Sequence, residues 1–281
     1  MKFVSYITAD GTTHPGILEG ETIRRIDAPS MREYIALPAA QRAARHTNET
    51  VAAASVKLDA PVRPNKNIFC VGRNYLEHAK EGAKIFGREL KLPDVPTFFT
   101  KAPNAIAAPG STLHLQANIS NEYDFEAELT VVIGQACKNV AESDALSVVF
   151  GYTNLNDVTA RDLQRAHLQW FKGKSLDELA PYGPAIVSAD EVGDAQHLEI
   201  AFRLNGTEMQ HSNTSSMIFS IKRIIAEITK GQTLEPGDLI ATGTPEGVGF
   251  AREPAVFLKD GDVMEVEIEK LGILRNTVSI K

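Results

Sequence analysis

Cysteine is nearly absent: Cys70 and Cys137 are the only two in 281 residues. They are too far apart for a CxxC pair and join no metal-ligand cluster, which excludes a disulfide scaffold or zinc module and leaves plain buried thiols in a reduced, cytoplasmic chain. Long apolar runs are missing as well. No stretch reaches about 18 consecutive apolar residues, and Met1-Lys2-Phe3-Val4-Ser5-Tyr6 has no signal-peptide core, so neither membrane insertion nor export is expected. Positive charge is in deficit, with 29 Lys and Arg against 36 Asp and Glu for a net charge of −7. Nucleic acid and anionic membranes are therefore poor partners, and a small anionic substrate needs a local cationic site. The remainder is ordinary, with 43% hydrophobic and 23% charged residues, the composition of a chain that folds throughout.

Residues 1–60 read as a small N-terminal unit. Strand-like runs at Phe3 to Thr8 and Thr22 to Ile26 are divided by Gly11, Gly16 and Gly20, and an Ala- and Arg-rich stretch from about Met31 to Ala54 predicts a helix. Pro61 and Pro64 mark a linker, placing a larger unit at residues 61–281. There, strand signals fall at Asn67 to Val71, Phe125 to Ile133, Val149 to Asn154, His197 to Leu204, Asp238 to Thr242 and Val263 to Ile268. Helices are expected at Thr159 to Trp170 and Ile218 to Thr229. Without regular strand–helix alternation or a repeat, a doubly wound sheet or TIM barrel is disfavoured, and a strand-rich α+β roll or sandwich fits better.

In Tyr123-Asp124-Phe125-Glu126-Ala127-Glu128-Leu129, strand geometry sends Glu126 and Glu128 to one face and Phe125, Ala127 and Leu129 to the other. Two carboxylates held that close repel unless a cation lies between them. Asp157, where a strand-like run ends and a helix is expected to begin, supplies a third. Such an oxygen-only set suits Mg²⁺ or Mn²⁺. Arg161 and Gln164, four and seven positions on, project from the same helix side. His78 and Glu81, three apart on a short helix after Gly72-Arg73-Asn74-Tyr75, can form a general-base pair. Lys174 lies in the glycine-flexed Phe171-Lys172-Gly173-Lys174. The loop Gly243-Thr244-Pro245-Glu246-Gly247-Val248-Gly249 offers hydroxyl and amide donors for a carboxylate but is not a dinucleotide fingerprint. Gln210 to Phe219 reads as a polar loop capping the second helix. The segment 82–98 suits a mobile cover in which Lys84, Arg88 or Lys91 selects the distal end of a substrate.

Taken in order, these motifs resemble the fumarylacetoacetate hydrolase family over roughly Pro64 to Lys281. The resemblance implies a mixed β-roll catalytic domain, commonly a homodimer, acting on a small 2-oxo acid. It implies Glu126, Glu128 and Asp157 as Mg²⁺ or Mn²⁺ ligands, and Lys174 with His78 and Glu81 as catalytic groups. Arg73, Tyr75, Arg161, Gln164 and Thr244 are implied as substrate-binding positions. The expected reaction is hydrolysis of a C–C bond in an acylpyruvate or related 2,4-diketo acid through a metal-stabilised pyruvate enolate. Oxaloacetate-type decarboxylation and muconate-type isomerisation are the alternatives within the family, and a non-catalytic ligand-binding protein is the alternative outside it.

Overall fold

The computed structural model describes residues 1–85, 87 and 89–281. At its centre the strand Ala127–Ile133 is buried at every position, because strands flank it on both sides and side chains cover both faces. Its antiparallel neighbours are Val149–Asn156 and Leu239–Ala241. Leu239–Ala241 in turn runs parallel to Ile68–Gly72, which pairs with Thr97–Lys101. Beyond Val149–Asn156, the strand Ala180–Ser188 carries the sheet to Lys2–Ile7 and onward through Thr13–Glu19, Thr22–Ile26 and His46–Ala52.

A second, five-stranded sheet is built on Glu199–Leu204, Val263–Ile268 and Gly272–Ile280. Its inner face meets the first sheet, where the rings of Phe125 and Phe202 stack 4.2 Å apart. The helix Ile221–Ile228 buries Ile221, Ile224, Ile225 and Ile228, a stripe at helical spacing, against the same core. Ser220 starts that helix by accepting from the Arg223 amide. The fold is the expected strand-rich α+β arrangement with mixed sheets.

The amino-terminal strands are continuous with this framework. Lys2 and Phe3 pair with Val187 and Ile186. Phe3, Tyr34 and Phe150 form an aromatic cluster, with Phe3 4.9 Å from Phe150 and 5.6 Å from Tyr34 between ring centroids. The proline-marked segment is packed as well, since Ala60 and Val62 are buried in the core that holds Phe3 and Ile68.

Three expectations need correction. The stretch Met31 to Ala54 is helical only over Met31–Ala36 and Ala39–Arg42, with 3₁₀ turns at Ala43–Arg45 and Ala53–Ser55. Pro38 forces Leu37 to extended backbone, and the β-branched Thr47, Thr50 and Val51 then pair with Thr22–Ile26 as the strand His46–Ala52. The helix expected from Thr159 to Trp170 covers only Arg161–Ala166, because Thr159 and Ala160 pair with Asp124 and Tyr123. The polar loop from Gln210 is instead the end of a strand, Thr207–Asn213, that pairs with Glu199–Leu204.

Candidate active site

Glu126 precedes the central strand and Glu128 lies within it, while Asp157 directly follows the neighbouring strand Val149–Asn156. The Asp157 amide donates to the Glu126 carbonyl at 2.8 Å, which locks the two strand ends together. One ligand atom from each carboxylate lies within 4.8 Å of the other two, and all three residues are buried.

Three cationic side chains surround this cluster. Lys174 donates to Glu126 Oε2 at 2.8 Å and to Asp157 Oδ2 at 2.7 Å. Lys101 donates to the other Asp157 oxygen at 2.6 Å. Arg161 Nε donates to Asp124 Oδ2 at 2.8 Å, and its Nη2 lies 2.7 Å from Glu126 Oε1. Asp124 also accepts the amides of Gly249 and Phe250 at 2.8 and 3.1 Å, tying the glycine-rich loop to Arg161.

Burial and the neighbouring charges shift each of these groups. Burial raises Glu126, but the ammonium of Lys174 and the guanidinium of Arg161 overcome it and hold the carboxyl down to about 2. Glu128 goes the other way, since burial and the charges of Asp157 and Glu126 push it well above the usual carboxylate range. Burial opposes the charged form of Lys174, and Asp157 and Glu126 outweigh it to raise that ammonium. For Lys101 burial prevails over Asp157 and lowers it.

Asp124, Glu126, Glu128 and Asp157 thus face Lys101, Lys174 and Arg161, leaving one negative charge in surplus when all are ionised. Protonation of Glu128 neutralises it. A divalent cation would instead carry the centre to one positive charge, a fitting seat for an anionic ligand. The buried, oxygen-only donor set fits a hard divalent cation, with Glu126, Glu128 and Asp157 as the residues that would hold it.

A cavity of about 800 Å³ opens onto this centre, lined among others by His78, Glu126, Glu128, Lys174 and Thr244. The helix Leu76–Ile85 presents His78, whose Nδ1 lies 3.4 Å from Glu81 Oε2. Glu81 is fixed from behind by the Gly247 amide at 2.9 Å. A smaller cavity of about 330 Å³, lined by His114, Lys172 and Ser175 among others, holds none of the acidic cluster.

Among the expected substrate-binding positions, Arg73, Arg161, Gln164 and Thr244 line the cavity. Tyr75 does not; it is fully buried beneath it, and its hydroxyl has no hydrogen-bond partner among the described residues. Burial, with the charges of Glu128 and Glu246, pushes that phenol up. Arg161 and Gln164 meet each other at 3.1 Å. The loop amides read as donors for a ligand carboxylate are spent on the protein's own acids, since Gly243, Gly247 and Gly249 donate to Glu128, Glu81 and Asp124. Lys91 lines the cavity, Lys84 lies 3.8 Å from exposed Glu253, and Arg88 lies outside the described residues.

Sequence reasoning missed Asp124, Lys101 and Gln210. Asp124 was within reach, because it shares strand parity with Glu126 and Glu128. Gln210 donates to Thr244 Oγ1 at 2.8 Å and accepts from the Ala127 amide at 2.9 Å. Nothing local to Lys101 or Gln210 announces these distant partners.

A buried acid cluster held by lysines and arginine, open to a cavity that an imidazole overlooks, is the equipment of an enzyme that handles small anions. The chain belongs to the fumarylacetoacetate hydrolase family: the family model of the fumarylacetoacetate hydrolase C-terminal region matches residues 67–279. A second model, Rv2993c-like N-terminal, matches residues 1–61. Oxaloacetate tautomerase YisK of Bacillus subtilis is 43% identical over 79% of this chain and 73% of its own. The 2,4-didehydro-3-deoxy-L-rhamnonate hydrolase of a Sphingomonas species is 40% identical over 99% of this chain and 96% of its own. The solved structure of 2-hydroxyhepta-2,4-diene-1,7-dioate isomerase from Mycobacterium marinum superposes with a TM-score of 0.82 at 35% identity, covering 100% of this chain and 99% of that one. Tautomerase, hydrolase and isomerase relatives thus share this frame.

Proposed function

We propose that the enzyme is a Mg²⁺- or Mn²⁺-dependent hydrolase that cleaves the C–C bond of an acylpyruvate or related 2,4-diketo acid and releases pyruvate. The observation that carries this reading is His78 on the cavity wall, paired with Glu81, which the Gly247 amide anchors. A carboxylate fixed behind an imidazole orients it to take a proton from water, which bond cleavage needs and simple decarboxylation does not. A divalent cation on Glu126, Glu128 and Asp157 would supply Lewis-acid polarisation of the 2-oxo acid head.

The protein's own groups supply the remaining steps. His78 removes a proton from water as its oxygen adds to the distal carbonyl carbon. The bond between that carbon and the neighbouring methylene then breaks, the acyl part leaves as a carboxylic acid, and the electron pair passes to the pyruvate enolate. Lys174 spends two of its three N–H groups on Glu126 and Asp157, and the third, with no hydrogen-bond partner among the described residues, stabilises the charge growing on the enolate oxygen. The proton held by His78 completes pyruvate.

A second reading, proton transfer on or decarboxylation of oxaloacetate, is favoured by the 43% identity to a tautomerase of that acid. Assaying acetylpyruvate, fumarylpyruvate, a 2,4-diketo-3-deoxy sugar acid, oxaloacetate and 2-hydroxyhepta-2,4-diene-1,7-dioate with Mg²⁺ separates the two. Release of pyruvate from a diketo acid is the expected result. Turnover of oxaloacetate alone overturns the hydrolase reading.

A further inference from the structure

The cationic residues of the cavity are unequally committed. Arg161 and Lys174 are each in reach of two carboxylates, and Arg165 lies 2.6 Å from Glu122. Arg73 lines the same cavity with no carboxylate partner among the described residues. Its guanidinium carbon instead lies 5.8 Å from the ring centroid of Trp170.

That placement is enforced by the backbone. Arg73 has a φ of 55°, in the left-handed region that a side chain of its kind rarely adopts. On one side Gly72 leaves room for the indole of Trp170, which a Cβ there would overlap. On the other side buried Asn74 donates to the Thr242 and Phe219 carbonyls at 2.8 and 3.1 Å and accepts the Phe219 amide at 2.8 Å. The strained turn is thus clamped from both sides, and strain of this kind persists where the surroundings over-determine it. A guanidinium backed by an aromatic face keeps its N–H edge free for a planar anion.

We propose that Arg73, backed by Trp170, is the subsite for a second carboxylate at the far end of the substrate. The enzyme then takes dicarboxylic 2-oxo acids in preference to those with an uncharged tail. This rests on the reading of the acid cluster as the seat of the 2-oxo acid head. A cavity of about 800 Å³ leaves room beyond a pyruvyl group for such a tail.

Trp170 is the only tryptophan, so its emission reports occupancy beside Arg73. The Mg²⁺-loaded protein is titrated with 2-oxoglutarate and 2-oxopentanoate, which differ only in carrying a terminal carboxylate or a methyl group. The diacid should bind tenfold or more tightly, a difference of about 1.4 kcal/mol. Arg73→Met should erase that preference and Arg73→Lys should keep part of it. Arg165→Met, which removes a cavity cation already paired with Glu122, should leave it intact. Should Arg73→Met fail to fold, Arg73→Gln carries the same comparison. A preference absent from the unmutated protein, or surviving in the folded Arg73 variants, overturns the subsite while leaving the head-group reading standing. If neither acid binds, or binding ignores Mg²⁺, the head-group reading fails and the subsite with it.

Discussion

Lys101 and Asp157 face each other with no exposed surface on either side chain, Nζ donating to Oδ1 at 2.6 Å. Lys174 occupies the second oxygen of the same carboxylate, so neither is free to rotate away from the cluster. Lys101→Met leaves Asp157 buried with one counter-ion fewer. The expected cost is about 3–5 kcal/mol in urea unfolding of the metal-free protein, as for other buried pairs that lose one partner. Saturating Mg²⁺ should recover part of it. A loss below about 1 kcal/mol would mean that the pair contributes little beyond what a methyl group supplies.

Glu128 gives stability a defined pH dependence. Its folded value is raised, so in the metal-free protein its contribution is fully present below the ordinary glutamate value and is lost as pH climbs through the raised one. Glu126 is held down to about 2, so its contribution is present above the ordinary glutamate value and lost only as pH falls toward 2. Of the two glutamates, it is Glu128 whose contribution declines as pH rises above the ordinary glutamate value. Since a cation must displace its proton, the rise in Tm on adding Mg²⁺ should grow as pH climbs from the ordinary glutamate value toward the raised one. An increment that stays flat over that range contradicts the assignment of Glu128 as a ligand.

His78→Ala should lower hydrolysis by on the order of a hundredfold or more, the usual contribution of a general base, with Mn²⁺ affinity unchanged. Glu81→Gln keeps an acceptor for the Gly247 amide but removes the charge behind the imidazole, and should cost less. Single-turnover rates with acetylpyruvate check both. Equal rates for the unmutated enzyme and His78→Ala would reduce the pair to a helix-surface contact.

Gly173 is where the lysine segment passes closest to its support. An added Cβ would meet the Gln164 amide nitrogen at 2.6 Å and the Ala160 carbonyl oxygen at 2.8 Å. Gly173→Ala should therefore displace Lys174 and lower kcat by about tenfold or more, while the three carboxylates keep their affinity for Mn²⁺. Calorimetric titration of Mn²⁺ alongside the rate assay tests this, and unchanged kcat argues that the segment adjusts without moving the ammonium.

The carboxylates were legible because strand parity is a local rule: Glu126 and Glu128 fall on one face whatever the rest of the fold does. Asp157 followed from the strand end that carries it. Lys101 was not legible, since its hydrogen-bond partners among the described residues lie 56 and 57 positions away across the sheet. Arg161 and Gln164 were correctly placed on one helix side, but their spacing does not reveal that Asp124 and Glu126 already engage the guanidinium. The strand His46–Ala52 defeated helix propensity for a tertiary reason, the pairing offered by Thr22–Ile26.

The aromatic cluster of Phe3, Tyr34 and Phe150 has a bearing on recombination among relatives. Two family models divide the chain near residue 61, which invites exchanging the first segment as a cassette. Phe3 and Tyr34 come from one side of that division and Phe150 from the other, and the ladder from Lys2 to Val187 crosses it as well. A chimera joined there inherits a mismatched seam unless the donor brings rings of the same size to the same three places.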